Sequence, residues 1–290
     1  MATLPGMLVD TDWLADNLGD DSLVILDCTV FLRLQPEGTA PKTGRNAWAA
    51  AHIPGSSYAD LAKDLSDRDA SIRFMMPPVE QFATAMSALG VDDSASVVCY
   101  DGAGSMWAAR IWWMLRSFGF DNAAVLDGGW RKWQAEGRPV STDATPSRAA
   151  SFVPRPREGY FATKYDVLEA IEDGESCVID SLGEDLHNGI AESPYGRAGH
   201  ITSSVNVAAM SLVDPETHAF LPLPRVQELF EESGALDRER VITYCGGGIA
   251  ASSDAFMLTM LGHENVSVYD ASLLEWAPDP SLPMENPAGQ

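Results

Sequence analysis

The sequence predicts an α/β protein of two tandem domains, each a mostly parallel central sheet flanked by helices. Three observations predict it. Short β-branched runs alternate with helical segments, the pattern of strand–helix–strand units around a parallel sheet. The same order of elements occurs twice. The length, 290 residues, suits about two domains.

The first copy opens with a strand over 23–28, followed by Ala51-His52-Ile53-Pro54-Gly55-Ser56. A strand over 96–101 leads through a Gly-containing turn into a Trp-rich helix ending near Leu115. The copy closes on Leu126-Asp127-Gly128-Gly129-Trp130 and Trp133. The second copy repeats this with a strand over 177–180, Gly199-His200-Ile201-Thr202-Ser203-Ser204, a strand over 240–245 and a helix to Leu261. Val266-Ser267-Val268-Tyr269-Asp270 and Trp276 close it. Tyr100 and Tyr244 are 144 residues apart, Trp133 and Trp276 are 143 apart, and Asp27 and Asp180 are 153 apart. Offsets that drift by so little indicate loop insertions around one repeated core. The boundaries expected are a domain over 1–140, a Pro-, Ser- and Thr-rich exposed linker over 141–159, and a domain over 160–290. Trp107, Trp112 and Trp113, at near-helical spacing, are expected in the core and the domain interface.

Composition narrows the function classes. The hydrophobic fraction of 46% is enough for two cores. No apolar run approaches the roughly 20 residues needed to span a bilayer. The start, Met1-Ala2-Thr3-Leu4-Pro5-Gly6, does not read as a signal peptide. Four cysteines in so long a chain are not a disulfide framework, so a reducing cytoplasm is expected. A formal charge of −23 repels nucleic acid and anionic membrane, so neither is expected as a partner.

Cys245 carries the chemical signal. It ends a β-branched strand and is followed by Gly246, Gly247, Gly248, Ile249 and Ala250 at the start of a helix. Three glycines let successive amides turn toward the sulfur, and the helix adds the positive end of its dipole. Both favour thiolate, the reactive form, so a lowered thiol pKa is expected. The matching position of the first copy is Asp101, which cannot act as a sulfur nucleophile. One copy is therefore expected to be catalytic and the other silent. No cysteines lie at zinc-ligand spacing and the five histidines are scattered, so neither metal nor organic cofactor is expected.

The tandem design, Ala51-His52-Ile53-Pro54-Gly55, Leu126-Asp127-Gly128-Gly129-Trp130, Gly199-His200-Ile201, the Cys245 loop and Glu275-Trp276 together resemble the two-domain rhodanese sulfurtransferases. This group includes thiosulfate and 3-mercaptopyruvate sulfurtransferases. The resemblance implies tandem rhodanese-like domains and a ping-pong reaction. Cys245 takes a sulfane sulfur from a small donor and passes it as a persulfide to a thiol, cyanide or thioredoxin-like acceptor. It also implies that the loop amides from Gly246 to Ala250 stabilise the charged sulfur, as an oxyanion hole stabilises oxygen.

Departures from the family pattern bear on the donor. Thiosulfate-type loops resemble Cys-Arg-Lys-Gly, and this loop has no cation. Mercaptopyruvate-type loops resemble Cys-Gly-Ser-Gly, which is closer, though Gly247 stands where the serine would be. Leu182 and Leu186 stand where that class carries arginines, removing a bidentate carboxylate clamp. Arg197 then has two readings, a carboxylate anchor for the donor or a surface arginine on an exposed loop. His187, when protonated, can stand in for the missing cation. Asp180, at a strand end, is placed to accept hydrogen bonds from amides near the site, a structural role. His200 reads as structural, while His52, Arg45 and Arg110 are within reach of the interdomain cleft. A phosphatase reading fails because no arginine closes the loop. The rival from another class is a non-catalytic persulfide carrier or redox-sensing module that keeps the cysteine loop but lacks donor binding.

Overall fold

The structure is a computed structural model that describes residues 2–35, 38–145 and 148–289. Met1 of the leading segment and Pro146 and Ser147 of the linker lie outside the described residues, as do the side chains of 33–40. The first domain contains β1 (Leu8–Val9), α1 (Thr11–Asn17), β2 (Leu23–Asp27), a hairpin of β3 (Val30–Gln35) and β4 (Gly38–Thr43), and α2 (Arg45–Ala50). It continues with β5 (Ser56–Tyr58), α3 (Val79–Ala88), β6 (Ser96–Tyr100), α4 (Met106–Ser117), β7 (Ala123–Leu126) and α5 (Gly129–Ala135). The second begins with β8 (Phe161–Ala162), α6 (Lys164–Asp173), β9 (Ser176–Asp180), α7 (Glu184–His187), β10 (His200–Ile201) and β11 (Val205–Asn206). It ends with α8 (Leu223–Glu232), β12 (Arg240–Tyr244), α9 (Ile249–Met260), β13 (Val266–Tyr269), α10 (Ser272–Trp276) and β14 (Met284–Glu285).

The repeat read from the sequence is a repeat of topology. One five-stranded parallel sheet runs β1-β7-β6-β2-β5, and the other runs β8-β13-β12-β9-β11, the same order in corresponding strands. β6 and β12 are central in their sheets and buried along nearly their whole length. They read as continuous apolar runs because helices cover both faces. Repeated polar pins lock each sheet. The hydroxyl of Tyr100 accepts from Ile53 N and bonds Ser56 Oγ, and that of Tyr244 accepts from Ile201 N and bonds Ser204 Oγ. Trp133 Nε1 donates to Pro139 O, and Trp276 Nε1 to Pro283 O. These bonds satisfy buried polar groups in both copies, which is why the landmarks recur at nearly constant offset.

The two domains meet along α4 and α9. The rings of Trp112 and Phe256 meet in a T-shaped contact with centroids 4.8 Å apart, and Trp107, Trp112 and Trp113 are buried, in keeping with their spacing. The described part of the linker is mostly exposed and packs on the first domain at a few points. Phe152 is buried against Phe82 and Phe120, and the amides of Arg155 and Arg157 donate to Phe118 O and Ser117 O. The segment is a strap on the first domain, held by an apolar anchor that its composition hid. Among the described residues no helix is long and apolar enough to cross a membrane.

Candidate active site

Cys245 follows the last residue of β12, and α9 starts four residues later. Gly248 makes the turn possible. Its φ is +73°, and a Cβ there would lie 2.8 Å from Asp270 O. Gly246 is glycine for a different reason, since a Cβ would meet the ring of Tyr195 at 2.3 Å. Ser272 braces the loop from beneath. Its hydroxyl accepts from Cys245 N and Gly248 N, both at 3.1 Å, and donates to Tyr269 O at 2.7 Å.

The amides that reach the sulfur are those of Gly247, Ala250 and Ala251. The cradle expected over Gly246 to Ala250 is thus shifted by one residue, and the Gly248 amide is spent on Ser272. The expected lowering of the thiol pKa is overturned. Burial pushes the Cys245 thiol up, and Asp180 adds to that, against the downward pull of the three amides. Cys245 is 2% exposed, so desolvation of the anion outweighs the dipoles.

The sulfur lies at a cavity of about 200 Å³ between the domains. The second domain lines it with Ser181, Leu182, Tyr195, Met210 and the loop, and the first lines it with Arg73, Phe74, Met106 and Trp107. Arg73 is the charged member of the described lining. Burial, and the nearby Cys245, push the Tyr195 phenol up to about 12, so it stays a neutral hydroxyl. A larger cavity of about 770 Å³ on the first domain includes Arg45, Asp60 and Glu80, and it shares no lining residue with the first. Arg45, expected within reach of the interdomain cleft, lies there, 3.7 Å from Asp60.

The remaining sequence-predicted residues are placed as follows. Arg197 does not face the sulfur cavity. Its guanidinium donates to the carbonyls of Trp276, Ala277, Asp279 and Leu282, at the end of α10 and in the turn beyond. Four carbonyls occupy its donor fork, so neither the donor-anchor nor the loose-surface reading stands. His187 is likewise turned away. It stacks on His200 at 3.8 Å, and its Nδ1 is 3.0 Å from Asp180 Oδ2, so it is a structural plate and no substitute cation. Asp180 accepts from the amide of Leu182 at 3.0 Å, and no hydrogen bond joins it to the Cys245 loop amides. His52 and His200 have matching posts, with Nδ1 on Trp48 O and on His187 O. Leu182 makes the wall apolar where a cation was missing from the sequence.

Arg110 does reach the second domain. It is fully buried, and its Nη2 donates to Asp270 Oδ1 at 2.5 Å and to Phe74 O at 2.8 Å. The other Asp270 oxygen accepts from Met76 N. One ion pair therefore joins α4, the segment bearing Arg73 and Phe74, and the underside of the cysteine loop. Phe74 sits at φ +66°, left-handed backbone that a bulky residue adopts only when its surroundings impose it. Sequence reasoning missed Arg73, Tyr195, Ser272, Ala251 and Asp254. Asp254 alone left a local signal, as a single acid inside an otherwise uncharged helix.

The family model of the rhodanese-like domain matches residues 10–136 and again 163–279. Thiosulfate/3-mercaptopyruvate sulfurtransferase 2 of Arabidopsis thaliana is 35% identical, with 96% of this chain and 86% of that protein aligned. The 3-mercaptopyruvate sulfurtransferase of Rattus norvegicus is 31% identical, with 93% of this chain and 91% of that protein covered. Among solved structures, the 3-mercaptopyruvate sulfotransferase SseA from Escherichia coli superposes with a TM-score of 0.81 at 28% identity. That match covers 92% of this chain and 98% of SseA.

Proposed function

This chain belongs to the rhodanese family and is a two-domain sulfurtransferase, and we propose that its turnover runs through a persulfide on Cys245. The observation that carries this reading is the buried sulfur held by the amides of Gly247, Ala250 and Ala251 at a cavity between the domains. The Cys245 thiolate attacks the outer sulfur of a small donor. An S–S bond forms, the bond from that sulfur to the rest of the donor breaks, and its electron pair leaves with the remainder. A cyanide or thiolate acceptor then attacks the outer sulfur, and the S–S pair returns to Cys245.

The raised thiol pKa fits this chemistry. The resting sulfur is a neutral thiol that releases its proton to solvent through the cavity before it attacks, and the persulfide formed next, a stronger acid than the thiol, carries the negative charge. Fixed amides stabilise that charge without reorganisation. No metal or organic cofactor is needed for these steps.

The donor is of the mercaptopyruvate type more than the thiosulfate type. The loop carries no cation, and Leu182, Phe74, Met106, Trp107 and Met210 make the wall largely apolar. A compact monocarboxylate suits such a wall better than a dianion. The acceptor is a cyanide, a thiol or a thioredoxin-like protein. Four free, buried thiols suit a reducing cytoplasm.

The test offers mercaptopyruvate, and separately thiosulfate, with cyanide as acceptor. Thiocyanate should form faster from mercaptopyruvate, and the Cys245 peptide should gain one sulfur atom when cyanide is withheld. Thiocyanate formation that survives in Cys245→Ala, or a wild-type Cys245 that never gains sulfur, would overturn the reading.

A further inference from the structure

The sulfur-transfer steps leave Asp254 unexplained. It lies in α9, fully buried, among Ser252, Ser253, Ala255 and Phe256. An ionised carboxylate in such a place needs a counter-charge, and the groups that act on it are Ser181 and Asp180, neither of them a cation. Its Oδ2 accepts from Ser181 Oγ at 2.7 Å, and its Oδ1 has no partner. Burial holds the carboxyl well above the usual carboxylate range, with a further push from Asp180, against the pull of the Ser181 bond. Asp254 is thus held toward its neutral acid form, and with the proton on Oδ2 the 2.7 Å bond runs the other way, Asp254 donating to Ser181 Oγ and the Ser181 hydroxyl left free to point out of the core.

That bond leads toward the sulfur. Asp180 stands in register with Tyr244 on the neighbouring strand, and Ser181 N donates to Tyr244 O. Ser181 therefore lies beside Cys245, and it lines the same cavity. The cysteine loop supplies no hydroxyl, since positions 246, 247 and 248 are all glycine. The other titratable or charged groups around this point are Asp180 at the end of β9, Cys245 itself, Tyr195 across the cavity and Arg73 from the first domain.

We propose that Ser181 and Asp254 form a proton relay that protonates the donor's leaving group as sulfur passes to Cys245, a step that rests on the sulfurtransferase reading above. For a donor R–S–H, the thiolate attacks sulfur and the R–S bond pair goes to R. Ser181 gives its hydroxyl proton to R and takes one from Asp254. The products are R–H, the persulfide Cys245–S–S–H and an Asp254 carboxylate. The persulfide proton, more acidic than that of a thiol, returns through Ser181 to Asp254. The anionic persulfide is left in the cradle, ready for the acceptor. Ser181 touches the donor, and Asp254 acts through Ser181.

The relay matters only where the leaving group needs a proton. An alkyl persulfide leaves a basic thiolate, whereas an aromatic thiosulfonate leaves a sulfinate that needs none. The experiment compares single-turnover loading of Cys245 from both donors, read by intact mass, in wild type, Asp254→Asn and Ser181→Ala. The ratio of alkyl to aromatic loading rates should fall about 100-fold in each variant, the typical contribution of a positioned acid. Ser181→Thr, which keeps the hydroxyl, should hold the wild-type ratio. An unchanged ratio in Ser181→Ala, with both rates kept or both lost, overturns the relay. Ser181→Ala reads the relay from its other end should Asp254→Asn not fold. Failure of the wild type to load sulfur from either donor would strike the parent reading instead.

Discussion

The Asp101 loop and the Cys245 loop are the same device with different contents. In the first domain the Asp101 carboxylate fills its own cradle. Oδ1 accepts from Ala103 N and Ser105 N, and Oδ2 from Trp107 N and Ala108 N, at 2.6 to 3.1 Å. In the second, a single sulfur atom meets the amides of Gly247, Ala250 and Ala251 and adjoins a cavity. Both side chains are buried, and burial pushes both acids up, yet only one has space in front of it. The anion cradle is thus a property of the strand–turn–helix. Whether it reacts depends on one side chain and on the cavity that the other domain completes. The silent copy still contributes to the site through Arg73, Phe74, Trp107 and the Arg110–Asp270 pair.

The largest effect comes from making the second loop copy the first. Cys245→Asp should fold, because Asp101 shows that the cradle accepts a carboxylate, and turnover to thiocyanate should drop by at least about 10⁴-fold. Adding Asp101→Cys to that variant should restore nothing, because Asp101 does not line the sulfur cavity. Recovered turnover would mean that the cradle alone is sufficient.

Next comes the bond through which the silent copy serves the active one. Arg110→Leu strands Asp270 beneath the loop and should cost about 3–5 kcal/mol in denaturant unfolding. A loss below about 1 kcal/mol would show that the buried pair does not hold the interface.

The two helix starts give a smaller, opposite pair. Gly248→Ala forces a Cβ toward Asp270 O at φ +73° and should destabilise by roughly 1–3 kcal/mol. Ser105 takes the matching post at φ +65° with a buried hydroxyl that has no partner, so Ser105→Gly should stabilise by about 1 kcal/mol. Thermal melts of both variants check the contrast, and equal signs would break it.

The mildest effect concerns pH. A raised thiol pKa keeps Cys245 protonated through neutral pH, so its alkylation by iodoacetamide should climb only above the ordinary thiol midpoint of about 8.5. A midpoint below that of a free thiol would show that the amides win over burial after all.

The repeat, the sheets, the cysteine at the strand–helix turn and the aspartate at the matching turn were legible because each is written locally. Strand periodicity, a run of glycines and landmark spacing need no knowledge of what lies across the fold. Asp254 was half legible, as a lone acid in an uncharged helix, but its meaning required Ser181, 73 residues earlier in the chain. Arg197 was misread because the carbonyls that occupy it come from a turn about 80 residues away, at Trp276, Ala277, Asp279 and Leu282. His187 was misread because its partner is a stacked ring. Arg73 went unseen because it arrives from the other domain.

The sequence by itself determined that this is a doubled α/β chain with one cysteine at a glycine-rich strand–helix turn, because strands, turns and helix starts follow from neighbours in the chain. The tertiary structure alone decided how buried that sulfur is, which groups surround it and which cations are already engaged. Desolvation and charge pairing depend on segments far apart in sequence that only folding brings together.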